Sequence, residues 1–128
     1  QLRKLAGWNE VRRHNATKYD DQLKGVVTPP VAAGATHVYH QYTVRSARRD
    51  QLAEHLTRCG IGSGIYYPVP VHRLPSFDVN VSLPVTERAC AEVLSLPIGP
   101  HVDKDQLQSV IDAVNSHAEL VETADVAI

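Results

Sequence analysis

HVYHQYTVRSARRDQLAEHLTRCGIGSGIYYPVPVH, residues 37–72, reads as strand, helix and strand in one unbroken run. His37 to Val44 is rich in aromatic and β-branched residues, the composition of a strand. A period of two puts Val38, His40, Tyr42 and Val44 on one face and His37, Tyr39, Gln41 and Thr43 on the other. From about Arg49 to Cys59 the period lengthens. Leu52, Ala53, Leu56 and Cys59 form the inner stripe of a helix that Gly60 ends. Gly62 and Gly64 lead into a second strand around Ile65 to Tyr67, which must stop there. Pro68 and Pro70 fix φ, disfavour the helical region for the residue before them and offer no N–H to a ladder. Gly64 to His72 is therefore a stiff, extended ribbon with two phenols and an imidazole, side chains that suit a pocket wall better than a connector.

On the N-terminal side, residues 1–24 read as one helix. Leu2, Leu5, Trp8, Ala16, Tyr19 and Leu23 recur at three- to four-residue intervals, and Gly25 is its expected C-terminal cap. At ~1.5 Å per residue that helix is about 35 Å long. Such a length in so small a domain predicts packing against something outside the chain. Residues 26–36 hold Pro29, Pro30 and Gly34 and read as a connector. On the C-terminal side, His72 to Phe77 is irregular. Pro84 to Leu94 reads as a helix with proline in its first turn and Ala89, Cys90, Val93 and Leu94 inward. Ser95 to Ile98 is a short third strand. The last helix opens at Asp103, where Asp103 and Gln106 have capping-box spacing, and it buries Leu107, Val110, Ile111 and Val114. Beyond His117 the pattern weakens, so residues 118–128 are expected to fray. The order of elements predicts a two-layer α/β sandwich.

The chain has 128 residues, enough for one domain with a core of its own. Thirteen basic and fourteen acidic residues leave a formal charge of −1, which points to neither nucleic acid nor membrane as partner. Arg45, Arg48 and Arg49 are a short cluster beside Asp50 and read as a solvated helix start. Cys59 and Cys90 form no CxxC pair. Both fall on apolar helical faces and are expected to be buried free thiols in a reducing, cytoplasmic compartment. No apolar run reaches the length of a membrane span, and no signal peptide is visible. The chain opens on Gln1 inside a helical pattern, as a fragment or processed chain would.

Seven histidines raise the question of a metal, yet no HExxH, paired CxxC or carboxylate cluster accompanies them, and His37 and His40 fall on opposite faces of a strand. No metal site is expected. Gly60 to Gly64 has a GxGxG-like look, but a dinucleotide fingerprint lies between strand and helix, and this one lies between helix and strand. A small hydrolase using Ser63 or Cys59 with a histidine is a remote alternative, since no GxSxG elbow exists. Tyr66, Tyr67, His72 and Arg73 fit a wall offering hydroxyls, an imidazole and a cation to a polar, anionic ligand.

The same stretch resembles the C-terminal half of the DegT/StrS-type aminotransferases, pyridoxal-phosphate enzymes that aminate nucleotide-linked keto sugars. Their pattern there is an H-x-Y/F-x-x-Y strand, R-x-x-x-R-D, a G-I helix end and H-Y-P-x-P-x-H. Here these are His37, Tyr39 and Tyr42, then Arg45, Arg49 and Asp50, then Gly60 and Ile61, then Tyr66 to His72. Thr86-Glu87 and Leu94 to Pro97 are similar to the family's later T-E and L-S-L-P, and QLRKL with Asn15 and Tyr19 resembles its linker helix. The first histidine of H-Y-P-x-P-x-H is replaced by Tyr66, which keeps a polar tip but does not titrate near neutral pH.

The resemblance implies a small, mostly antiparallel sheet with packed helices, the C-terminal domain of a fold-type I transferase. Residues 1–24 would be the linker helix from a missing N-terminal large domain, 25–117 the small domain and 118–128 a tail. It implies substrate-binding roles for Tyr67 and His72, with Tyr66 and Arg73 beside them, and structural roles for Arg45 and Asp50, pairing near the strand–helix corner. Pyridoxal 5′-phosphate would belong to the complete enzyme. Lys4, Lys18, Lys24 and Lys104 are the only lysines and none lies in the family's S-F-x-x-x-K setting, so no covalent cofactor or catalytic residue is expected on this chain. Expected partners are the N-terminal cofactor-binding domain and a nucleotide sugar. An apolar face on the first helix and sheet is expected where the large domain docks, and it could also serve a homodimer. The alternative is an inactive remnant or binding module lacking that domain.

Overall fold

The computed structural model describes residues 2–77 and 79–126. Its elements are α1 (Leu2–Gln22), β1 (Tyr42–Arg45), α2 (Arg49–Arg58), α3 (Pro84–Glu92), β2 (Val93–Leu96) and α4 (Lys104–Val126), with a single 3₁₀ turn at Val71–Arg73. β1 and β2 pair antiparallel, Tyr42 opposite Leu96 and Val44 opposite Leu94. Single antiparallel bridges extend this ribbon on both sides, Val27 to Arg45 and Gly64 to Ser95. One face of the sheet presents Tyr42, Val44, Leu94 and Leu96, all buried against Leu52 and Leu56 of α2 and Leu107, Ile111 and Val114 of α4. This is the two-layer α/β architecture expected from the order of elements, with a small antiparallel sheet.

The strand expected from His37 begins only at Tyr42. Tyr39 sits at φ +46°, in the left-handed region, so the ladder cannot run through it. The local turn is held by the Tyr39 N–H donating to His37 Nδ1 at 2.8 Å and by ring contacts from Tyr39 to His37 and Tyr42. The second expected strand, Ile65–Tyr67, also shrinks. Gly64 exchanges both backbone hydrogen bonds with Ser95, at 3.0 and 2.7 Å, and pairing stops there. The third strand is Val93–Leu96 rather than Ser95–Ile98, and α3 ends two residues before Leu94.

That switch from helix to strand has a visible cause. Arg49, 8% exposed, donates from Nη1 to the carbonyls of Cys90 and Val93, both at 3.1 Å, and Ser46 N–H donates to the carbonyl of Glu92. A buried cation thus terminates α3 where its last carbonyls lack helical partners. The expected pairing of Arg45 with Asp50 is not formed. Arg45 reaches across to Glu92 (Nε to Oε2 2.9 Å), and Asp50 takes the Arg49 Nε at 2.6 Å. Arg88 also binds Glu92, and these two arginines hold the Glu92 carboxyl below its ordinary range, Arg88 first.

Helix ends follow sequence chemistry closely. Gln106 N–H donates to Asp103 Oδ1 and Asp103 N–H to Gln106 Oε1, the reciprocal capping box. Gly60 at φ +74° closes α2, with Ile61 N–H on the Leu56 carbonyl. Gly25 at φ +69° follows α1, and any β-carbon there would strike Ala118 of α4. Asn115 completes that junction. Its Oδ1 accepts from Lys24 N–H and its Nδ2 donates to the Gln22 carbonyl. α4 continues through His117, where the apolar pattern thins, to Val126. The thiols differ from expectation: Cys59 is exposed at the end of α2, and Cys90 is half-buried, because α3 contributes no fully buried side chain.

Candidate functional site

A broad cleft of about 700 Å³ opens between α1 and the segment that follows β2. Trp8 and Arg12, one turn apart on α1, form one wall, and Pro97, Pro100 and His101 form the other. Gly64 and Ser95 lie between them, with His40 and Tyr66 at the rim. Two buried phenols set the spacing of the walls. Tyr19 of α1 donates its hydroxyl to the Pro97 carbonyl at 2.6 Å, and Tyr42 of β1 donates to Asp20 Oδ1 at 2.6 Å. Burial lifts both hydroxyls well above the ordinary phenol range, and at Tyr42 the hydrogen bond to Asp20 and its charge add to the effect.

The ribbon residues divide into two sets. Tyr66 lies over Gly64, so closely that a β-carbon at Gly64 would occupy the ring's place, and it lines the cleft. Tyr67 is 72% exposed, lies outside the cleft lining and meets the Tyr66 ring edge-on, with the Tyr66–Tyr67 peptide bond cis. His72 and Arg73 turn the other way. The His72 side chain is 9% exposed, and its Nε2 lies 3.0 Å from Glu87 Oε1. Arg73 Nη2 and Leu83 N–H donate to the same oxygen, both at 3.2 Å. The hydrogen bond to His72, then that of Leu83 N–H and that of Arg73, hold the Glu87 carboxyl at about 2. His72 and Arg73 therefore fasten the ribbon to the first turn of α3 and stand outside the cleft lining.

Trp8, Arg12, His40 and His101 were not read as site residues in the sequence. Trp8 falls on the apolar stripe that marks residues 1–24 as a helix, and it is half-buried. A Trp and an Arg four apart on a helix already share a face, which was the available signal. Ser63 lines the cleft, whereas Cys59 lies on the outer side of α2 with its Sγ 3.7 Å from His55 Nε2. His55 Nε2 also meets Ser116 Oγ at 3.1 Å, so this exposed pair is tied into a surface network. Among the described residues no group of histidine, cysteine and carboxylate side chains is arranged to hold a metal, and no helix is long and apolar enough to cross a membrane.

Residues 1–115 match the model of the DegT/DnrJ/EryC1/StrS aminotransferase family. The chain belongs to this family. It is 43% identical, over 97% of its length, to a dTDP-3-amino-3,4,6-trideoxy-alpha-D-glucose transaminase of Streptomyces venezuelae. It is 35% identical, over 86% of its length, to a UDP-N-acetyl-3-dehydro-alpha-D-glucosamine 3-aminotransferase of Acidithiobacillus ferrooxidans. Those alignments cover 35% and 31% of the two relatives, so the chain spans about a third of their length. The fold superposes on S. venezuelae DesV, solved with a ketimine intermediate, at TM-score 0.88 and 42% identity, covering 92% of this chain and 34% of that one. The aminotransferase TlmJ of Streptoalloteichus hindustanus gives TM-score 0.88 at 32% identity, covering 95% of this chain and 35% of that one.

Membership in this aminotransferase family implies pyridoxal phosphate in the complete enzyme, a group that attaches through a lysine. None of the four lysines lines the cleft, and Lys4, Lys24 and Lys104 are exposed. The residues of this chain do not fit a covalent cofactor site.

Proposed function

We propose that this chain is the C-terminal small domain of a pyridoxal-phosphate-dependent aminotransferase that transfers an amino group to a nucleotide-linked keto sugar. The observation that carries this reading is the near-complete alignment, 97% of the chain, with a dTDP-sugar transaminase about three times as long. In such an enzyme the other two thirds of the polypeptide would supply the cofactor site and its lysine. This domain supplies substrate-side surface: Tyr66 and Tyr67 reach the sugar or its diphosphate through their hydroxyls, and His72 and Arg73 set the height of that wall through Glu87. The exposed apolar side chains agree with a docking role for the N-terminal domain. Leu2 and Leu5 on α1, Val27 at the sheet edge and Phe77 beyond the ribbon are all solvent-facing. No lysine lines the cleft, and in this reading the chain by itself binds without turnover.

A chimera tests this. The 128 residues replace the matching segment of the S. venezuelae transaminase, and amination of its nucleotide-linked keto sugar is measured together with visible absorbance of bound cofactor. Amino transfer by the chimera, and none by the isolated chain, is expected. A folded chimera that holds the cofactor but aminates no nucleotide-linked keto sugar overturns the proposal.

A further inference from the structure

We propose that the seam between α2 and the second half of α4 is an acid-operated latch, which holds while His55 and His117 are neutral and opens when both imidazoles take a proton. The two rings meet across the seam, one from each helix, with centroids 5.6 Å apart. Both are half-buried. His55 is fixed in place from α4. Ser116 gives its hydroxyl proton to the Ala113 carbonyl at 3.0 Å, so towards His55 Nε2, 3.1 Å away, its Oγ can only accept. The proton of neutral His55 therefore sits on Nε2, and in acid the second proton goes to Nδ1.

The charges around the pair decide the sign. Arg48 at the start of α2 and Arg58 at its end line one hollow of about 290 Å³ with both rings and Glu54. A second hollow shares Arg48 and His117 with it and adds Glu122. Cys59 Sγ, 3.7 Å from His55 Nε2, completes the set. A carboxylate is present in each hollow, yet the net effect on His117 is to disfavour the charged form. Burial first, then the positive charge of His55, Arg48 and Arg58, holds its imidazole below the ordinary value. Once the seam opens, His117 binds a proton as readily as in a free peptide. The closed seam is therefore favoured fully above the ordinary imidazole value of about 6.5, and that advantage is lost as pH falls through the lower value of the folded chain.

What the latch guards is the joint with α1. Two residues before His117, Asn115 ties α4 to the end of α1 through Lys24 N–H and the Gln22 carbonyl. One residue after it, Ala118 sits against Gly25. Beyond that joint the apolar seal is thin, with Val121 half-buried and Leu120 exposed. Little else holds the stretch from Ser116 onward once like charges meet across the seam, and opening there frees α1 to change its angle to the domain. The inference goes beyond the aminotransferase reading and does not require it.

The test is amide hydrogen exchange of the 128-residue chain, read residue by residue by NMR at pH 7.5 and at pH 5.0 and corrected for the intrinsic rate at each pH. Protection of residues 116–123 should fall about threefold or more at pH 5.0, the size of the repulsion between two unit charges 5.6 Å apart in water. Protection of Leu107 to Val114 should hold. His117→Gln and, separately, His55→Gln keep a polar side chain that cannot charge, and each should remove most of the fall. In His55→Gln the His117 ring should also titrate closer to the ordinary imidazole value. Protection of residues 116–123 that is the same at both pH values overturns the latch. So does a fall of the same size in both glutamine variants, or one that spreads equally to Leu107 to Val114, which is acid unfolding of the whole helix. The outcome is independent of the chimera, which can fail while the latch works.

Discussion

Raising the pH to 11 should weaken the clamp that sets the cleft's width. Tyr19 and Tyr42 are both fully buried, their rings are 4.8 Å apart, and their hydroxyls are committed to the Pro97 carbonyl and to Asp20. Both stay protonated in the folded chain well beyond the ordinary phenol range. In the unfolded chain each has the ordinary value near 10. Above that value the unfolded state sheds protons that the folded state keeps. The stability these groups contribute is therefore complete below pH 10 and is lost as pH rises past it. At pH 11 ionisation stabilises the unfolded chain by about 1.4 kcal/mol for each phenol, about 3 kcal/mol for the pair. With a urea dependence of about 1–3 kcal/mol per M, the unfolding midpoint should drop by roughly 1–3 M. Urea unfolding followed by far-UV circular dichroism at pH 7 to 11 measures this for the parent, Tyr19→Phe and Tyr42→Phe. Tyr19→Phe should begin about 1–3 kcal/mol below the parent at neutral pH, because the Pro97 carbonyl loses its donor. Each variant should then lose about 1.4 kcal/mol less than the parent by pH 11, so the gap closes. Lysine ionisation acts on all three proteins alike. Curves that stay parallel from pH 7 to 11 would refute the assignment of the alkaline loss to these two phenols.

Arg49→Met should destabilise the chain by about 3 kcal/mol, since it removes two charge-assisted hydrogen bonds to the carbonyls that end α3. Arg49→Lys should recover only a minor part of that in urea unfolding, because a point charge cannot reach both carbonyls and Asp50 together. The Glu87 anchor should respond to acid. Its carboxyl sits at about 2 when folded and near 4.5 when free, so the stability it gives is present above about 4.5 and is lost as pH falls towards 2. The His72 ring resonances should keep their bound positions at pH 5 and move between pH 4 and 2, whereas in Glu87→Gln they should already be displaced at pH 5. A His72 signal indifferent to Glu87→Gln would show that the ribbon is held by something else.

The helix ends were the most legible part of this fold, and the reason is that they are settled within a few residues. Asp103 and Gln106 read as a capping box and form one, and Gly25 and Gly60 read as helix caps and take the left-handed conformation that caps require. The stripe Leu107, Val110, Ile111 and Val114 was equally local, and all four are buried. Strand limits were misjudged because pairing is a property of two segments. Composition allowed a ladder from His37, but the turn at Tyr39 and the short partner Val93–Leu96 admit only four residues of β1. The expected Arg45–Asp50 pair failed for a similar reason. Neighbours at a corner were preferred over Glu92, which is 47 residues away in sequence and adjacent in space.

The site shows the same division more sharply. The ribbon Gly64 to His72 stands out from local chemistry alone, since two prolines and three polar rings in nine residues are visible without a fold. Which of its side chains face the cleft was not, because that depends on Glu87 on a helix beyond the ribbon. Arg12 and His101 are separated by most of the chain and line one cleft because Tyr19 draws α1 to Pro97. One apolar-looking stripe on α1 therefore does two jobs in succession. Ala16 and Tyr19 are buried in the domain core, while Leu2 and Leu5 remain in solvent and Trp8 and Arg12 open onto the cleft. Helical periodicity marks which residues share a face, but what covers that face changes along its length.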